Sequence, residues 1–112
     1  MRTVAAVEKE LRECLTTKIT LRGGQLKSAA AQINVAGVPP HLMVVDPFNG
    51  AWLDCVVHEL IHLQFRDELE RWGKLEEALV VALEDEVVRH INRSPTRAAW
   101  WRRKVEALVE AD

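Results

Sequence analysis

Residues 56 to 63 read VVHELIHL, and within them His58, Glu59 and His62 stand in the spacing HExxH. If this segment is helical, residues four apart share a face, so both imidazoles can reach one tetrahedral metal ion. Glu59 is then turned toward the water on that ion rather than toward the ion itself. Zinc in such a setting acidifies water and polarises a carbonyl, while the carboxylate takes the proton, which is the chemistry of hydrolysis. The expected cofactor is therefore zinc, with His58 and His62 as ligands and Glu59 as the catalytic base.

Catalytic zinc takes three protein ligands and keeps one position open, so a third ligand is needed. The downstream candidates are Glu76, Glu77, Glu84 and Glu86. If the HELIH helix ends near Arg66, a short loop brings the first turn of the next helix opposite His62, which favours Glu77 or Glu76. If it runs to Trp72 and turns at Gly73, Glu84 lies opposite His62 instead. Glu77 is taken as the third ligand. Glu77 and Glu84 share a face with Val80, Val81 and Val88, and a carboxylate on an otherwise apolar face needs a cation. His41 and His90 are candidates to donate to the oxyanion of a tetrahedral intermediate in a chain with no tyrosine, although an exposed or capping histidine is the commoner role. Cys55, one turn before His58, could approach the metal, but it reads better as a small buried hydrophobe, as does Cys14.

These residues need elements to position them. Val4, Val7, Leu11 and Cys14 or Leu15 recur every three or four residues, which predicts an amphipathic N-terminal helix. Lys18 to Arg22 alternates polar and apolar and stops at Gly23-Gly24, as a short strand does. The stretch from Gln25 to Ala36 reads as a strand in its second half. His41 to Asp46 is a third strand, set between Pro39-Pro40 and the Asn49-Gly50 turn. From Ala51 the pattern is helical through Leu53, Val57, Ile61, Phe65, Leu69 and Trp72, either unbroken or interrupted near Arg66-Asp67. Lys74 to Asn92 is a second helix with a wide apolar stripe through Leu75, Leu79, Ala82, Leu83 and Val87. Ser94 followed by Pro95 opens a last helix through Trp101, Val105 and Leu108. The expected fold class is α+β: an N-terminal helix, a small β-sheet or hairpin layer, then the HExxH helix and two further C-terminal helices.

The chain has 112 residues, room for one domain spanning residues 1–112. Hydrophobic residues make up 48% and charged residues 29%, a balance that folds rather than stays disordered. A formal charge of -2 gives no global field toward nucleic acid or membrane. Charges at Glu8, Lys9, Glu10, Arg12 and Glu13 interrupt any apolar secretory segment, and no apolar run approaches the roughly 20 residues of a membrane span. Two cysteines are too few for a disulfide scaffold, so a cytoplasmic setting without a membrane is expected. Nothing in the composition signals an oligomeric state.

With this order of helix, strands, HELIH helix and second helix, Lys18 to Asn92 resembles the zincin metallopeptidases, and the chain's length is similar to that of the minimal gluzincins. The resemblance implies a β-layer ahead of the HExxH helix, an edge strand that binds substrate, a glutamate from the following helix as third ligand, and a peptide or protein substrate. The metzincin extension HExxHxxGxxH is absent, since His62 is followed by Leu63, Gln64, Phe65 and Arg66, and no downstream glutamate opens the gluzincin pattern ExxxD. The HLMVVD strand is expected to be the substrate rim. The final helix is expected to pack on the catalytic domain, either completing the core or covering the cleft and keeping the enzyme latent. Two rivals remain. AAAQINVAG faintly resembles the glutamine motif of peptide deformylases, metal amidases that also carry HExxH, but their EGCLS cysteine motif is missing. Arg89 to Lys104 holds six basic residues with Trp100 and Trp101, the ingredients of a nucleic-acid-binding helix, against a negative overall charge.

Overall fold

The computed structural model describes residues 3–27, 29–33 and 38–110. Helix α1 (Val4–Thr17) opens on Thr3, whose Oγ1 accepts the Ala6 N–H at 3.1 Å and satisfies one of the free donors of the first turn. Its three-and-four spacing buries Val7, Leu11, Cys14 and Leu15 on one side, as the periodicity predicts. Three short strands follow: β1 (Ile19–Gly23), β2 (Ala31–Ile33) and β3 (His41–Val45). All three expected strands are present. Residues 34–36 of the expected second strand lie outside the described residues.

The order across the sheet is β1-β3-β2, with β3 parallel to β1 and antiparallel to β2. This corrects the expectation that the HLMVVD strand forms a substrate rim, because β3 is hydrogen-bonded on both sides. The reason is its composition: His41, Met43 and Val45 are buried against the helices, and a run that apolar is protected best in the middle of the sheet. Of the two edges, β2 is the one packed against the next helix. Asp46 N–H donates to Ala30 O at 2.8 Å, which by the alternation of an antiparallel pair directs the backbone groups of Ala31 and Ile33 away from β3.

Helix α2 (Trp52–Gln64) is entered by two Asx turns, Phe48 N–H to Asp46 Oδ1 at 3.1 Å and Ala51 N–H to Asn49 Oδ1 at 2.9 Å. It buries Val56, Val57, Leu60 and Ile61. The helix breaks at Phe65 (φ −110°, ψ 23°), resumes for one turn as α3 (Arg66–Leu69), and passes through a 3₁₀ segment (Glu70–Leu75). Gly73 there has φ 51° and ψ −114°, a conformation open to glycine and costly to other residues. Helix α4 (Glu76–Asn92) then runs back along α2, so of the two alternatives the interrupted helix is the observed one.

The stripe expected to bury α4 is only partly correct. Val87 is buried, but Leu75 is 58% and Leu79 39% exposed, and the packed face is Val80, Val87, Val88 and Ile91. Helix α4 is apolar on more than one side, and the side chosen is the one that meets α1 and α2.

Helix α5 (Pro95–Glu110) begins where expected, with Ser94 Oγ accepting the Arg97 N–H at 3.3 Å. Trp101 and Val105 are buried in the common core. Trp101 Nε1 donates to Glu8 Oε1 at 3.1 Å, and Arg97 Nε donates to the His90 carbonyl at 2.9 Å. These contacts, together with packing on β1, commit the helix to α1, β1 and the end of α4. The apolar face therefore completes the core, the first of the two roles foreseen for it. Among the described residues, no helix is long and apolar enough to cross a membrane.

Candidate metal centre

The site forms on the seam between α2 and α4. His58 and His62 are one turn apart on α2 with ring centroids 4.9 Å apart, and both are partly exposed. The break at Phe65 and the bend at Gly73 set α4 antiparallel to α2, so that its first turn comes level with His62 and its third with His58. Glu77 lies across both rings. Its Oε1 is 2.9 Å from His58 Nε2 and its Oε2 is 3.2 Å from His62 Nε2. Among the described residues, His58, His62 and Glu77 are the one group of three potential ligands whose donor atoms all lie within 4.8 Å of one another.

The other downstream glutamates take different places. Glu84 Oε1 accepts from His58 Nδ1 at 2.6 Å, on the opposite edge of the ring from Glu77. Glu76 Oε1 lies 3.4 Å from His62 Nδ1. Glu86 is on the exposed side of α4. Each histidine thus presents Nε2 to the shared carboxylate of Glu77 and Nδ1 to a carboxylate of its own. Glu84, an alternative third ligand by sequence, sits on the wrong ring nitrogen to join that group.

A metal ion fits this donor set. Two imidazole nitrogens and a carboxylate are the ligands zinc takes at catalytic sites, and one donor atom from each of the three residues can be chosen so that all lie within 4.8 Å of one another. The electrostatics point the same way. A neutral His58 that donates from Nδ1 to Glu84 has a lone pair on Nε2, which faces a Glu77 oxygen at 2.9 Å. Two electron-rich atoms at that distance call for a cation, whether a second proton on the ring or a metal. Among the described residues, the ion pairs of Glu76, Glu77 and Glu84 are with the two histidines.

Glu59 stands beside the histidines and is half-buried. Burial raises its carboxyl above the ordinary value, His58 and His62 pull it back in part, and Glu77 pushes it up further. A carboxylate with raised proton affinity that sits outside the ligand group suits a base.

No protein-family model, curated protein or solved structure gives a match to this chain.

The remaining candidates stay away from the centre. His41 is buried at the start of β3, and His90 is at the far end of α4, where its carbonyl holds Arg97. Cys55 is partly exposed rather than buried and falls outside the ligand group, while Cys14 is buried as expected. Gln32, the glutamine of the deformylase-like stretch, is exposed on β2. In the basic stretch, Trp101 is in the core, and Trp100 has Arg12 and Lys104 over its ring at 4.6 and 5.2 Å. Arg89 pairs with Asp85, and Arg97 and Arg103 donate to backbone carbonyls. Trp101 is thus taken up by the core and Arg97 by the end of α4, whereas Arg89, Arg93, Arg102 and Arg103 are exposed. Sequence reasoning missed the division of labour between the two nitrogens of each ring, because spacing places a histidine on a face without fixing which nitrogen points where.

Proposed function

We propose that this chain is a zinc-dependent hydrolase of peptide bonds, with His58, His62 and Glu77 as metal ligands and Glu59 as the general base. The observation that carries the reading is the position of Glu77, whose carboxylate spans the Nε2 atoms of both histidines of the HELIH motif. Zinc held there supplies a Lewis acid that acidifies water and polarises the scissile carbonyl.

The protein's own part is positioning and proton transfer. Helices α2 and α4, locked by Val57, Leu60, Ile61, Val80 and Val87, hold the three ligands on one rigid seam. Glu59 takes a proton from the attacking water and returns it to the leaving amine. Its half-buried setting raises its affinity for that proton. The outward backbone groups of Ala31 and Ile33, on the strand packed against α2, offer an extended peptide main-chain hydrogen bonds. That role, first expected for the HLMVVD strand, passes to β2, the edge beside the HELIH helix.

The test pairs metal content with turnover. After zinc supplementation and gel filtration, native mass spectrometry should find about one zinc per chain in the wild type and in Glu59→Gln, and none in His58→Ala or His62→Ala. The wild type should cleave an unstructured protein and Glu59→Gln should not. Wild-type protein without zinc, or an active Glu59→Gln, overturns the proposal.

A further inference from the structure

Glu84 is the residue that the proposed chemistry leaves unexplained. It lies two turns beyond Glu77 on α4, about 10.5 Å along the axis, and so comes level with the earlier histidine of the antiparallel helix. Its side chain is 18% exposed, with Val80 one turn before it and Val88 one turn after it both buried. A carboxylate in that setting is costly unless it is paired, and the partner it has is His58 Nδ1 at 2.6 Å.

We propose that Glu84 is a positioning residue that holds His58 in the tautomer required for metal binding. The inference rests on His58 being a ligand. A neutral imidazole has one N–H and two carboxylates face this ring, but Glu84 is the nearer (2.6 Å against 2.9 Å for Glu77) and at 18% exposed is far less able than Glu77, 66% exposed, to turn to water instead, so Glu84 draws the proton to Nδ1. The lone pair is then left on Nε2, the atom that converges with His62 and Glu77. The same contact fixes the ring's rotation, because a bond of that length from a helix packed on its neighbour leaves little freedom. Glu84 thus prepares the ring before an ion arrives, as the outer carboxylates of many histidine–metal sites do. It acts through His58 and does not itself reach the metal side.

A purely structural tie between α2 and α4 would leave the tautomer and the zinc affinity indifferent to Glu84, and this separates the two roles. Long-range ¹H–¹⁵N correlation spectra of the metal-free full chain, at a pH where imidazole is neutral, should show His58 protonated at Nδ1 in the wild type. In Glu84→Ala the proton should move toward Nε2, and zinc affinity measured against a competing chelator should fall about ten- to a hundred-fold. Glu84→Gln, whose amide oxygen can still accept from Nδ1, should keep the tautomer and recover most of the affinity. An Nε2-protonated His58 in the wild type overturns the assignment, as does a folded Glu84→Ala with wild-type zinc affinity. If Glu84→Ala fails to fold, the wild-type tautomer and the Glu84→Gln affinity decide. A wild type that binds no zinc defeats the metal reading itself, whereas the tautomer in metal-free protein reports on Glu84 independently.

Discussion

Replacing Trp101 with alanine tests whether α5 is part of the core or a cover for the site. Trp101 is 1% exposed, and its indole N–H ends on Glu8, which is itself 5% exposed and paired with Arg12 at 2.7 Å. A buried tryptophan removes about 150–250 Å² from water. At about 25 cal/mol per Å² that corresponds to about 4–6 kcal/mol, an upper figure that agrees with the roughly 3–5 kcal/mol lost when large aromatics become alanine. Against a total of about 5–15 kcal/mol for a domain, the loss takes a large share of the stability. With a urea slope of about 2 kcal/mol per M, the middle of the usual range, a loss of about 3–5 kcal/mol should lower the midpoint followed by circular dichroism by about 1.5–2.5 M. Trp101→Phe keeps most of the apolar area but loses the donor to Glu8, and should cost only about 1–2 kcal/mol. Below the transition, zinc content and hydrolysis per folded molecule should be unchanged in both variants. A loss under about 1.5 kcal/mol for Trp101→Ala, or a folded variant with raised hydrolysis, would refute the core role and favour a helix that restrains the proposed activity.

Other tests address the site and its surroundings. In competition with a chelator, Glu77→Ala should weaken zinc binding most, followed by Glu84→Ala, with Glu76→Ala mild and Glu86→Ala silent; Glu84 or Glu76 ranking first would displace Glu77 as the ligand. On β2, Ile33→Pro removes an outward N–H without breaking the ladder to β3, so peptide turnover should drop while zinc content and circular dichroism hold, and unchanged turnover would place the binding edge elsewhere. Burial raises the Cys14 thiol above its ordinary 9.0, with Lys18 opposing in part. The unfolded chain therefore loses this proton first as pH climbs past 9.0, so the native state loses stability relative to a Cys14→Ala variant in that alkaline window and not at neutral pH. Parallel stability profiles for the two proteins above pH 9 would contradict the burial effect.

By itself the sequence determined what local periodicity and turn chemistry control. The three-and-four spacing of Val7, Leu11 and Leu15, the Ser94-Pro95 start and the turn at Asn49-Gly50 locate helices and strands, because these preferences act over one or two turns. The pairing of His58 with His62 belongs to the same class, since positions i and i+4 of any helix share a face. Glu77 was reachable only as one of several glutamates, because its register against His62 depends on the break at Phe65 and the bend at Gly73. Tertiary structure alone decided three further things. It put β3 in the centre of the sheet, since strand order reflects which run most needs cover rather than chain order. It turned Val80 and Val88 inward and left Leu75 and Leu79 outside, since a helix apolar on several sides buries whichever face its neighbours meet. It also set Glu84 on the Nδ1 edge of His58, because the ring atom that meets a carboxylate from 26 residues away is fixed by how two helices pack, which neither helix encodes alone.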